Sequence, residues 1–365
     1  MRAALVALAL VTAVSAVGCG ASKRAAVVTT VTVTTTTTTA TSPAAPTLKP
    51  VPAGFDPVSF TAISADEFWL LGNGVIARTV NGGKTFAALP APPLPASSGL
   101  TPELRFADRN DGFAFATGLG GALYATHDAG ATWNKIPTRT ILAFATGDHY
   151  AFVVSAQCAT NGCSDYRLER APVSSDAWTS APLPFTPDGS VVDLAAHGSS
   201  VWFLGTAKGS EPGNDTIARS TDAGKTFTTG SGPCVPGLGG DLEPSSDLVV
   251  WAVCPTGMEA GAWISTDGGV TFGALKTPEL VNSARLAPAS DATAVLAQGA
   301  QDELLPTTDG GTTWTSAHTP GASFVPFVGF TDANVGAALA QGANGREALW
   351  RTTDGGADWA VVPIG

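Results

Sequence analysis

Charge is scarce in this chain. Only 13% of its 365 residues are Asp, Glu, Lys or Arg, and they sum to −11 at pH 7. A nucleic-acid surface needs clustered Lys and Arg, so this balance excludes that class of partner. Histidine occurs four times, as His127, His149, His197 and His318, with no ligand spacing between them. No Cys-x-x-Cys pair occurs either, so no metal and no cofactor is expected. No glycine-rich loop sits between a strand and a helix, which excludes a phosphate cradle. Amphipathic helical periodicity is absent as well, and with 42 Gly and 26 Pro the reading is an all-β domain of low surface charge.

What the chain does have begins with an apolar leader. Arg2 precedes "AALVALALVTAVSAVG", too short to span a bilayer stably. The leader ends in "AVGC", which resembles the lipobox of bacterial lipoproteins, and the resemblance implies cleavage before Cys19 and its lipidation. Residues 1–18 are therefore read as a signal peptide. Residues 19–50 follow as a tether, with ten Thr among the thirteen residues from Thr29 to Thr41 and then Pro. Such a segment buries no core. It spans roughly 30 Å on average. The alternative, an ordinary cleaved leader with a stray Cys, fits less well with the cysteine count. Five Cys minus Cys19 leaves an even set, Cys158, Cys163, Cys234 and Cys254, as expected of disulfides in an exported protein. The expected location is the outer face of a bacterial cytoplasmic membrane, or the cell wall.

The rest, residues 51–365, repeats. "LWRTTDGGADW" at the end of the chain has counterparts ending at Trp314, Phe272, Phe227 and Trp133. The position that usually holds Asp falls at Asn81, Asp128, Asp176, Asp222, Asp267, Asp309 and Asp354, at spacings of 47, 48, 46, 45, 42 and 45. Four short strands and their turns need about 45 residues, the period of propeller blades. Runs such as "ELRFAD", "GFAFATG", "ALYATH" and "TWNKIP" supply the four strands of the second unit. The second runs ("FWLLG", "YAFVVS", "LVVWAVC") are apolar throughout, as expected of strands buried on both faces. The fold class is all-β, a seven-bladed propeller. Around Asp176 the glycines are missing, so that copy rests on spacing.

The repeat S/T-x-D-x-G-x-T-W/F resembles the Asp-box, or BNR, repeat of sialidase-like propellers. The resemblance implies a turn between third and fourth strands, at the blade periphery, in which the Asp accepts backbone N–H groups and the Gly takes a positive φ. Asn81, Asp128, Asp222, Asp267, Asp309 and Asp354 are thus framework. "LRFADRNDG" and "VGFTDANVG" further resemble seven-bladed photosystem assembly-factor propellers, although the arginine-rich patch of that group is missing.

Sialidase chemistry would require arginines converging on the channel, a Tyr/Glu nucleophile pair and an acid. No Arg-Ile-Pro motif lies between residues 51 and 110, and the only tyrosines are Tyr124, Tyr150 and Tyr166. Arg78, Arg219 and Arg351 recur three residues before the turn position, on third strands, too peripheral to meet on one ligand. They are read as exposed or locally paired. No catalytic residue is assigned. A divergent glycoside hydrolase or carbohydrate-binding protein is the alternative to a protein-binding scaffold.

Loops joining second to third strands, and one blade to the next, share one face. They are long in blades three to five ("AQCATNGCSDY", "TAKGSEPGND", "GSGPCVPGLGGDLEP", "CPTGMEAG") and carry Asp165, Glu211, Asp215, Asp241, Glu243 and Glu259. Long loops on a rigid scaffold are where binding collects, so this face is the candidate site for a protein or glycan partner of a monomeric chain. Cys158 with Cys163 and Cys234 with Cys254 are the expected pairs, because both ends of each lie on this face and the crossed pairings would bridge different blades. If Cys19 is the anchor, Cys19→Ala removes the acyl chain that holds the protein to lipid. The variant is then expected in the medium or unprocessed; fractionation with salt-washed membranes, as in the parent, would refute the lipid anchor.

Overall fold

The computed structural model describes residues 49–95, 100, 102–147, 149–209, 213–298, 303–342 and 345–364. The leader, Cys19, the tether up to residue 48 and Glu211 lie outside the described residues. Seven antiparallel sheets follow one another along the chain, each built from consecutive strands, with no helix among the described residues. Blade one is Ser59–Ala62, Phe68–Gly72, Val75–Thr79 and Ala87–Pro90, and blade seven is Phe324–Phe330, Gly336–Gln341, Glu347–Thr352 and Ala360–Val362. Blade six shows three strands, Arg285–Pro288, Ala294–Ala297 and Leu304–Thr307. Its outer edge is still partly paired, since the N–H groups of Thr315 and Ala317 donate to Pro306 O and Leu304 O.

The second strands explain the ring. Phe68 and Leu70 point into a wedge shared with blade seven, while Trp69 and Leu71 point into one shared with blade two. A period of two therefore divides one apolar run between two cores. Seven such wedges fill the seven blade interfaces, and Trp69, Trp202 and Trp251 are fully buried. Trp69 stacks on Phe106 of the next blade, with centroids 3.9 Å apart. Closure needs no exchanged strand. Phe60 of blade one packs on Phe327 of blade seven at 5.4 Å.

The repeated turn has one geometry. In it Asp267 Oδ1 accepts Thr271 N–H at 2.9 Å and Ser265 Oγ–H at 2.7 Å, and Oδ2 accepts the Thr271 hydroxyl at 2.6 Å. Ser265 Oγ in turn accepts Gly269 N–H at 2.7 Å. Asp128, Asp222 and Asp309 repeat the set, whereas Asp354 does so without the hydroxyl because residue 358 is Asp. Asn81 fits by reversing one bond: its amide donates to Thr85 Oγ1 at 2.8 Å. Asp176 breaks the pattern. It accepts instead from His127 and Asn134 of blade two, at 3.2 and 3.4 Å, so the third position found by spacing is an inter-blade tie.

The arginines are paired, one of the two alternatives expected, but two of the three pair across blades. Arg219 donates to the carbonyls of Asp267 and Asp247 in blade five, at 3.4 and 3.0 Å, and Arg351 to those of Gly82 and Ala65 in blade one, at 2.7 and 2.8 Å. Arg170, at the same register in blade three, donates to Ala223 O of blade four. Arg78 behaves differently, binding Glu67 of its own blade, which also holds Arg109 of blade two at 2.8 Å. These side chains lock blade to blade. The glycines make room: a Cβ on Gly268, where φ is +76°, would lie 2.4 Å from the Arg219 guanidinium carbon.

Hydrogen bonds from the Thr271 hydroxyl and N–H hold Asp267 at about 2, below its ordinary 3.8. The folded pKa is the lower one, so its stabilisation is present above about pH 4 and is lost as pH falls toward 2. Asn81 indicates that an amide is accommodated. Asp267→Asn is therefore expected to fold and to lose less stability than the parent between pH 4 and pH 2, measured by urea denaturation; equal losses would show that the turn carboxylate carries no such linkage.

Candidate functional site

The disulfides join Cys158 to Cys163 and Cys234 to Cys254, with Cα separations of 4.0 and 5.1 Å. These are the expected pairs. The first closes the tip of the long hairpin Tyr150–Ala159 and Gly162–Pro172. The second ties the loop entering blade five to the end of that blade's second strand, Val250–Pro255.

Beside this second staple lies a cavity of about 250 Å³. Its walls are the starts of the first strands of blades four, five and six, with Val191, Leu238, Gly239, Gly240, Asp241 and Arg285 among them. The first strands carry a two-residue pattern that places charge here. Leu194, Leu242, Leu286 and Leu104 are buried in the wedges. Their neighbours Asp193, Asp241 and Glu243, Arg285, and Glu103 and Arg105 turn the other way, toward the axis of the ring. Asp241 Oδ2 lies 3.4 Å from Arg285 Nη1. Asp193 Oδ2 accepts the Leu242 N–H of the next blade at 2.7 Å. The same device recurs where Leu104 N–H and Phe106 N–H donate to the hydroxyls of Ser59 and Thr61, each at 3.0 Å. Arg105 is held by Glu103 at 3.0 Å.

Of the six acids expected on this face, the structure brings Asp241 and Glu243 together. Asp165, with φ +52°, is paired to Arg139 at 2.6 Å near the tip of the blade-three hairpin. Asp215 is buried and accepts the Thr206 hydroxyl at 2.7 Å, so its role is local. Glu259 is exposed at the start of a third strand, Glu259–Ser265, where it pairs with Val281. Asp193, Arg285, Glu103 and Arg105 were missed. Their signal was a charged residue beside a Leu at the head of blades two, four, five and six.

Burial and the nearby Asp241 carboxylate push Asp193 up to about 7. Burial and the charges of Asp241 and Asp193 also push Glu243 up, and burial raises Asp241 against the opposing pull of Arg285. Protein surrounds all three, yet the side chain of Asp241 is half exposed to channel water and Glu243 is open to it. Water in the channel screens those two, so the upward shift is firmest at Asp193.

A scan against protein-family models and a search of curated proteins find no match. Among solved structures the chain is similar to YCF48 bound to D1 peptide, at 17% identity and TM-score 0.52, covering 83% of this chain and 93% of that one. YCF48 from Cyanidioschyzon merolae is similar at 14% identity and TM-score 0.53, over 84% and 98% of the two chains. A catalytically inactive virginiamycin B lyase from Staphylococcus aureus with quinupristin is similar at 15% and 0.53, over 86% and 94%. The likeness is one of fold.

Because the folded pKa of Asp193 is raised, the folded state binds more protons than the unfolded one between about pH 4 and 7, so this group lowers stability as pH rises through that window. Asp193→Asn keeps an acceptor for Leu242 N–H. It is expected to melt above the parent at pH 8, with the gap closing by pH 5; a gap that stays constant with pH would contradict the raised carboxyl.

Proposed function

We propose that the chain is an exported, lipid-anchored propeller that binds a polypeptide on its long-loop face and performs no catalysis. One observation carries this reading. The stapled cavity opens among loops that expose apolar side chains, with Val191 45%, Val235 43%, Leu238 44% and Met258 89% accessible, beside polar ones such as Ser190 and Asn282. Several large apolar side chains left exposed around a concave opening fit a protein-binding site. YCF48, similar in fold and described as bound to D1 peptide, is consistent with a peptide on such a face. The repeated turns fit the Asp-box of sialidase-like propellers, and in this reading they are framework only. The two disulfides fit an oxidising, extracytoplasmic compartment.

A second reading has its own observation. Asp193, Asp241 and Glu243 are carboxylates with raised pKa values in one channel, the kind of groups a glycosidase uses. The two readings separate by position and by turnover. A photo-crosslinker placed at Leu238 is expected to capture protein from native membranes, whereas one at Val270, on the repeated turn of blade five, is not. A panel of fluorogenic glycosides is expected to stay dark. Turnover lost in Glu243→Gln would overturn the binding reading and establish the enzyme.

A further inference from the structure

We infer that the cavity between blades four, five and six is a pocket for a lysine or arginine side chain of an extended peptide whose neighbouring residues are aliphatic. The inference rests on the polypeptide-binding reading and adds the chemistry of the residue that enters.

Size limits the occupant. A cavity of about 250 Å³ holds the volume of about eight waters, less than the ~300–1,000 Å³ of pockets for drug-sized ligands. One long side chain fits; a folded domain or an oligosaccharide does not enter.

Charge sets its sign. Asp193, Asp241 and Glu243 come from the first strands of blades four and five. Arg285 is the cation set against them within the cavity wall, and its Nη1 also donates to its neighbour Ala284 O at 3.2 Å. Arg105, from blade two, is engaged by Glu103 and by Leu104 O at 3.3 Å. Asp241 lines the cavity together with Arg285, its partner at 3.4 Å, and Asp193 and Glu243 lie beside it on the same strand heads. With Glu103 counted, four carboxylates stand against two arginines. Burial first, and the neighbouring carboxylates second, raise Asp193 and Glu243; a cation brought in from outside relieves the repulsion among them, with the least screening by channel water at Asp193. An anionic group would meet the same field with the opposite sign.

The rim sets the flanks. Val191 and Leu238 line the cavity and are also exposed above it. Asn282, another lining residue, donates N–H to Met258 O at 3.1 Å and its side-chain amide to Gly257 O at 3.3 Å, which fixes the Met258 tip beside the opening. Methionine adapts to varied apolar partners. A long cationic side chain lays its methylenes along such a wall while its head reaches the acids.

The pocket is preorganised. Cys234–Cys254 fastens the loop, and a Cβ on Gly239, where φ is +76°, would meet Val191 Cγ1 at 2.5 Å. A Cβ on Gly240 would come within 2.3 Å of Cys234 Sγ. The backbone is packed so closely that little ordering remains when a ligand enters.

The test uses the full chain against an immobilised library of acetylated hexapeptides randomised at every position. Selection is expected to enrich Lys or Arg at one position beside Val, Ile or Leu. For the best peptide, Asp241→Asn is expected to weaken binding about tenfold, while Arg285→Gln, which removes the competing cation, tightens it several-fold. A folding defect would weaken both, so the opposite signs identify the pocket. Replacing the cationic residue of the peptide by norleucine should abolish the effect of both variants. Enrichment of acidic or uncharged peptides, no enrichment at all, or two variants that move binding in the same direction would overturn the inference. If Leu238 crosslinks to protein in native membranes despite such a result, polypeptide binding stands and only the cationic pocket falls; if it does not, both fall.

Discussion

A strand that is apolar on both faces cannot be stable in one sheet. That constraint governs this molecule. "FWLLG" sends alternate side chains into two different wedges, so blade one has half of each core and depends on blades seven and two for the rest. The same division recurs around the ring, and it makes the interface between blades, more than the blade, the unit of burial. Closure follows without an exchanged strand because the last wedge, with Phe60, Leu70, Leu339 and Leu349, is built like the others.

Polar groups obey the same constraint. A turn that packs against a neighbouring wedge takes its own carbonyls away from water, and those carbonyls need donors. Trp202 Nε1 reaches Gly268 O at 2.8 Å and Trp69 Nε1 reaches Ala129 O at 3.4 Å, beside the arginines from the same register. Blade two has Ala125 at the arginine position, and there His127 links Asp111 to Asp176 at 2.6 and 3.2 Å. Trp251, at the same register in blade five, finds no such acceptor, and nothing in the structure accounts for the difference. Electrostatics divides along the same lines. Turn carboxylates are held low by hydrogen bonds, whereas channel carboxylates are pushed up by burial and by one another, so the two groups respond to pH with opposite sign.

The fold was legible because its signals are local and repeated. Asp, Gly and an aromatic at a period near 45 fix the turn, and apolar runs fix the second strand. Asp176 misled because spacing continued where the turn chemistry had stopped. Arg170 was invisible for the same reason: with no box to count from, only the strand register aligns it with Arg219. The site was half legible. Loop length and the cysteines pointed to the end of the ring where the cavity lies, and Asp241 and Glu243 were among the acids named. Asp193 and Arg285 were not, because they lie 92 residues apart in sequence (285 minus 193) and share nothing until the ring brings blades four and six around one axis. Convergence of that kind has no period to read.

The two ends of the ring therefore differ in what they have left to offer. At the turn end, donors and acceptors are consumed by neighbouring blades or within the turn itself: Arg351 takes two carbonyls of blade one, and Thr271 takes both oxygens of Asp267. A ligand there would have to compete with bonds that hold the ring. At the loop end the first strands use Ser59, Thr61 and Asp193 to satisfy inner-edge N–H groups, and beyond that point Asp241 and Arg285 are paired at 3.4 Å with Glu243 exposed beside them. Those groups are not needed to close the propeller. A site can form where the scaffold leaves strong polar groups unspent, which is why the proposed binding site is put at the stapled mouth between blades four and six.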